Sequence, residues 1–165
     1  MSVVVSDTSP LHYLILCDSV EALPRLFRQV VIPPMVFQEL QQPRTPAPVR
    51  AWVQSLPEWV QVQAPTTLDR SLAVDPGELE AICLALEIKA AALLMDDRAG
   101  RTAAQRCGLA VTGTIGILEM AASRGCWIYG KLWTSCTEPM RASTSSYSRG
   151  RWSGMPHDGK ESMAG

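Results

Sequence analysis

The stretch DPGELEAICLALEIKAAALLMDD, residues 75–97, decides how this chain is read. Its first half sets Asp75, Pro76 and Glu78 ahead of Leu79, Ile82, Cys83 and Leu86, which recur on one helical stripe. Its second half, 91–95, is apolar without a break and stops at two carboxylates, Asp96 and Asp97. A strand with no polar alternation is a strand covered on both faces. A helix leading into such a strand is the repeating unit of a parallel α/β sheet.

Working outward, the same unit recurs. Val3–Ser6 is a β-branched strand that ends at Asp7, and Ser9-Pro10 predicts an N-cap and first helical residue for a helix through residue 17. Residues 30–32 are a second strand, closed by Pro33-Pro34, with a helix to about residue 42. Residues 49–56 predict a helix and 60–62 a third strand. Asp75 opens the long helix to about residue 89, and 91–95 is the fourth strand. A helix over 102–107, a strand over 109–111 and a helix from Gly113 to about residue 123 complete the pattern.

Composition bounds the function. The chain has 165 residues, one domain's worth, with 47% hydrophobic and 19% charged residues. A net charge of −1 offers no global basic field for nucleic acid, so such contact would rest on local arginines and bound metal. The start, MSVVVSD, lacks the charged and long apolar segments of a secretory leader, and no apolar run reaches a membrane span of roughly 18–20 residues. Five cysteines without Cys-x-x-Cys spacing, and only His12 and His157, argue against zinc. Cys17, Cys83 and Cys107 sit in apolar contexts and read as small packing residues in a reducing cytoplasm.

What stands out is acid beside apolar sequence: Asp7, Glu39, Glu78, Asp96 and Asp97. A carboxylate there is costly unless a cation or a shared proton compensates it. Ligand crevices of open parallel sheets lie at the carboxyl ends of the strands, where Asp7 and the Asp96–Asp97 pair fall. Glu39 lies three residues after Val36 and four after Met35, on the core side of its helix, with a salt bridge to Arg25 or Arg28 as the competing role. Glu78 shares a face with Ala81, Ile82 and Ala85, whereas Glu80 aligns with Leu84 and Glu87; a capping box with Asp75 competes for Glu78. Adjacent Asp96 and Asp97 point opposite ways, so one is expected to cap the next helix and the other to face the crevice. Asp97 is the preferred crevice ligand, and the choice stays open. Arg98 and Arg101 could hold a phosphate, and Thr112 and Thr114 could cap a helix or bind an anion. Carboxylates without His or Cys select Mg²⁺ or Mn²⁺, which activate water and stabilise a phosphodiester under in-line attack. No phosphate-loop, nucleophile-elbow or dinucleotide glycine motif offers a rival chemistry.

The segments VSDTSPL (5–11), VIPPMVFQEL (31–40), GELEAICLA (77–85), LLMDDRAGR (93–101) and TGTIGIL (112–118), in this order over residues 1–124, resemble the PIN-domain nucleases. The likeness is to an uncharacterised PIN-like branch related to VapC toxins. It implies a three-layer α/β/α fold with a mostly parallel sheet and a metal-dependent ribonuclease (a hydrolase) using Mg²⁺ or Mn²⁺. Carried over by motif, Asp7, Glu39, Glu78 and Asp97 form the catalytic and metal-holding set, with Ser9, Asp96 and Arg98 as accessories. RNA as substrate, an antitoxin partner in a toxin–antitoxin pair, a homodimer and a cytoplasmic place follow from the same likeness. A catalytically silent PIN-like binding module and an inactive frameshifted remnant are the alternatives.

The resemblance stops near residue 124. Residues 1–124 hold 10 basic and 13 acidic residues, a net −3, and residues 125–165 hold 5 and 3, a net +2. Relatives continue with Leu-rich helical sequence and a Gly-Phe-Tyr-Leu-like ending. Residues 125–145 can be encoded by a string whose alternate frame reads LLDLREAMDELHRANAGFYL, so a frameshift and a disordered tail are expected over 125–165. Sequencing the gene checks this.

Overall fold

Among the described residues five short strands form one parallel sheet, and the local sequence explains each of them. The structure is a computed structural model and describes residues 2–124. The first strand, β1 (Val3–Ser6), leads into α1 (Thr8–Leu16) and α2 (Ala22–Leu26). Next come β2 (Gln29–Ile32), α3 (Pro34–Leu40), α4 (Ala47–Gln54) and β3 (Val60–Val62). The second half is α5 (Pro76–Glu87), β4 (Ala92–Leu94), α6 (Arg98–Arg106), β5 (Val111–Thr112) and α7 (Thr114–Ser123). The strand order is β3-β2-β1-β4-β5, every pairing parallel.

The sheet is covered on both faces. Val4, Val30, Ile32 and Leu94 point into one core with residues of α1, α2, α4 and α7. Val5, Val31, Leu93 and Met95 point into the other, against Ala81, Ile82 and Leu84 of α5 and Ala104 of α6. Alternate residues of one strand therefore serve different cores, which is why the strands read as continuous apolar runs. This is the three-layer α/β/α arrangement, with an all-parallel sheet.

Several boundaries differ from the sequence expectation. Helix α1 begins at Thr8, with Asp7 in the N-cap position and Ser9 inside the first turn. Helix α6 begins at Arg98 instead of residue 102, because the Asp97 carboxylate accepts the amides of Ala99 and Gly100 at 2.7 and 3.0 Å and starts the helix earlier. Strand β5 lies at Val111–Thr112, where the amides of Leu93 and Met95 reach the carbonyls of Ala110 and Thr112. Helix α2, built around Pro24, was not expected; its Ala22, Leu23 and Leu26 are buried in the first core. Cys83 and Cys107 are free thiols, and Cys17 is buried among apolar residues. Among the described residues no helix is long and apolar enough to cross a membrane. The expected tail at 125–165 lies outside the described residues.

Candidate metal centre

Chain order reverses across the middle of the sheet: β2 and β3 lie on one side of β1, and β4 and β5 on the other. That places a crevice between the carboxyl ends of β1 and β4. Asp7 follows β1 directly, and its amide donates to the Leu94 carbonyl at the end of β4 at 2.9 Å. Asp96 and Asp97 follow β4 two and three residues later. Glu39 enters from α3 and Glu78 from the first turn of α5.

Asp7 is 5% exposed, and burial pushes its carboxyl up to about 6. The amides of Thr8 and Ser9 face it and pull the other way, although neither closes a cap hydrogen bond of normal geometry. The charges of Glu39 and Asp96 raise it further. Glu78 is likewise buried and is pushed up to about 7, first by burial, then by the charge of Asp97 and, more weakly, of Asp7. Asp7, Glu39, Glu78, Asp96 and Asp97 thus lie within one another's fields.

Each carboxylate is held in its own way. Glu39 accepts the Thr8 hydroxyl and makes no ion pair with Arg25 or Arg28 among the described residues. Glu78 accepts the Asp75 amide at 3.3 Å, so it caps its helix and also faces the crevice. Asp96 spans the start of α7, accepting the Thr114 amide at 2.8 Å and the Thr114 hydroxyl at 2.6 Å. The helix-capping role expected of one member of the Asp96–Asp97 pair is filled by both: Asp97 caps α6 through Oδ1 alone. Glu80 does not stand apart as its face suggested, for it accepts the Met35 amide at 2.9 Å and caps α3. Thr114→Val is expected to cost about 1.5–3 kcal/mol by leaving a charged acceptor short of a buried partner, read as a denaturant-midpoint shift.

Glycines make the room. A β-carbon at Gly77 would lie 2.8 Å from Glu39 Oε1, and one at Gly100 2.5 Å from Met95 Sδ and 3.0 Å from Glu78 Cδ. One at Gly113 would lie 2.5 Å from Asp96 Oδ1. These seats, with Thr8, were missed by sequence reasoning. The only local signal was a glycine directly before Glu78 and another directly before Thr114.

Oxygen-only donors held against burial and mutual repulsion suit a hard divalent cation. Among the described residues no three His, Cys, Asp or Glu side chains stand close enough, as placed, to hold a metal ion. The donor chemistry therefore fits such an ion, and side-chain rotation is needed to bring three ligands together. Ser9 sits half-buried beside Asp7, and Arg98 is exposed at the first position of α6.

A PIN-domain family model matches residues 3–149. No curated protein matches the chain. Among solved structures the chain is similar to a PilT N-terminus domain protein from the hyperthermophilic archaeon Sulfolobus solfataricus. The two share 16% identity with a TM-score of 0.53, covering 72% of this chain and 92% of that one, a likeness of fold. With a family model matched over most of its length, the chain belongs to the PIN-domain family, a nuclease fold.

Proposed function

We propose that this protein is a Mg²⁺- or Mn²⁺-dependent endoribonuclease that acts as the toxin of a toxin–antitoxin pair. The observation that carries the nuclease reading is the gathering of Asp7, Glu39, Glu78, Asp96 and Asp97 at the switch point, with Asp7 and Glu78 pushed up to about 6 and about 7. RNA as substrate, an antitoxin partner, a homodimer and a cytoplasmic place rest on the family likeness.

Asp7, Glu39, Glu78 and Asp97 would hold the ion. A bound divalent cation supplies positive charge beside a phosphodiester and lowers the pKa of water. The chain's own groups do the positioning. Thr8 fixes Glu39, and the Ala99 and Gly100 amides fix Asp97 through Oδ1, which leaves Oδ2 for a ligand. Asp96 is committed to Thr114 and orients the start of α7. Asp7 and Glu78 must each give up a proton near neutral pH before both can serve as anionic donors.

Incubation of RNA with the protein tests this. Cleavage is expected with Mn²⁺ and not with chelator; cleavage that persists in chelator would sink the metal mechanism. A catalytically silent binding module is the second reading, favoured by the spacing of the carboxylates, no three of which meet as ligands among the described residues. Capture of a small neighbour-encoded protein without RNA cleavage would decide for it.

A further inference from the structure

The crevice does not end at the carboxylates. Glu78 and Asp97 line a cavity of about 400 Å³, which shares Ala73, Val74, Asp97 and Ala99 with a second, larger one. The second, about 680 Å³, runs between the segment before α5 and one side of α6, lined by Leu72, Val74, Arg98, Thr102 and Arg106 among others. Together they form one trough, acidic at the crevice and basic along α6. Cavities of this size accept small organic ligands or a nucleotide-sized piece of a longer one.

Arg98 lacks a structural reason to be there, whereas Arg106 lies in the last turn of α6, where the helix dipole favours a cation. Both are exposed, and neither guanidinium makes a hydrogen bond or ion pair among the described residues. Arg98 is the first residue of α6, where the helix dipole disfavours a cation. By contrast Arg101, between them, is tied to the Met95 carbonyl at 2.8 Å. Arg98, Thr102 and Arg106 recur at intervals of four, so they follow one side of the helix and set the two charges about 12 Å apart along its axis. The opposite wall is held in place. Thr66 donates its amide and hydroxyl to Glu87 at 2.7 and 2.8 Å, the Asp69 amide donates to Cys83 Sγ at 3.3 Å, and Leu72 and Val74 pack on the second core.

We infer that the trough along α6 is a flanking-nucleotide subsite, in which Arg98 and Arg106 grip backbone phosphates of the RNA strand on one side of the crevice. This rests on the ribonuclease reading for the identity of the polyanion. Charge complementarity and continuity with the carboxylate crevice carry it, since a strand leaving the crevice along the trough passes both guanidiniums. The apolar wall at Leu72 and Val74 would face sugar and base.

Binding of a fluorescein-labelled decaribonucleotide from 50 to 300 mM KCl tests this, using Asp7→Asn protein so that turnover does not intervene. Each phosphate contact adds about 0.7 to the slope of log affinity against log salt on single strands. Adding Arg98→Gln and Arg106→Gln together is expected to lower that slope by about 1.4 and to weaken binding several-fold at the low-salt end. Lysine at both positions is expected to restore the slope. Arg25→Gln with Arg28→Gln removes the same charge near the amino end of β2, away from the crevice, and should leave the slope nearly intact. An unchanged slope in the Arg98/Arg106 pair, or an equal fall in the Arg25/Arg28 pair, overturns the subsite. Wild-type cleavage in Mn²⁺ is scored separately: cleavage with an unchanged slope removes the subsite alone. A lowered slope without wild-type cleavage leaves the subsite standing and removes the nuclease reading.

Discussion

Asp7→Asn is expected to make the metal-free protein more stable at pH 8, by on the order of 2–3 kcal/mol, while lowering Mn²⁺-dependent RNA cleavage by roughly a hundredfold or more. The two effects have one cause. Asp7 is buried among other carboxylates, and its folded-state pKa stands at about 6 against a reference of 3.8. A group raised in this way contributes stability that is present below pH 3.8 and lost as pH climbs through about 6. Glu78 adds to the fall in the same direction, from 4.5 to about 7, with its effect discounted for its contact with solvent. The wild-type protein in chelator should therefore be less stable at pH 8 than at pH 5. A neutral amide of the same shape removes Asp7's share of that loss. Denaturant midpoints of both proteins at pH 5 and pH 8 measure it: the advantage of Asp7→Asn should fall to roughly half at the lower pH. Equal gains at both values would mean that packing, not charge, accounts for the change.

Gly100→Val should lower stability by about 1–3 kcal/mol and cleavage by roughly a hundredfold, although residue 100 carries no chemistry of its own. A β-carbon there meets Met95 Sδ at 2.5 Å and Glu78 at 3.0 Å. Met95 is fully buried, so its thioether can move only by displacing neighbours in the second core. Glu78 is then driven out of its place in the crevice. Gly108 supplies the comparison: it has nothing within 4 Å of an added β-carbon, but its φ is +83°. Gly108→Ala should cost about 1 kcal/mol through backbone strain alone and leave cleavage unchanged. Thermal melts and RNA cleavage on both variants separate the cases. Parallel loss of activity in the two would refute the seat.

Much of the architecture was legible because it depends on local pattern. β1 and β3 have the bounds their β-branched and alternating residues predicted, and α5 has the extent set by Asp75 and the apolar stripe, to within two residues. The failures have two sources, a cap that starts a helix early and residues brought in from other elements. The helix after Asp97 was expected to start only at residue 102. Instead Gly100 lies inside α6, where a glycine is required by Met95 and Glu78 from other elements. α2 was missed because five residues around a proline carry no period, and its burial comes from the sheet behind it. The acidic positions were visible one by one, since charge next to apolar sequence needs explanation. Their division of labour was not: that Asp96 is taken up by Thr114 and that Glu80 serves α3 depend on which helix ends the fold brings alongside.

The bonds that close the crevice are long in sequence: Thr8 to Glu39 spans 31 residues, Met35 to Glu80 spans 45, and Asp96 to Thr114 spans 18. Glu39 and Asp96 cannot be seated by the segments that carry them. A chain emerging from the ribosome has β1 and Asp7 first, but Asp96 finds its clamp only when Thr114 and the start of α7 have appeared. Domains fold largely as units once their sequence is out. Assembly of the acidic cluster is thus tied to completion of the sheet, and under the proposed activity a partly synthesised chain cannot cut the RNA on which it is being made.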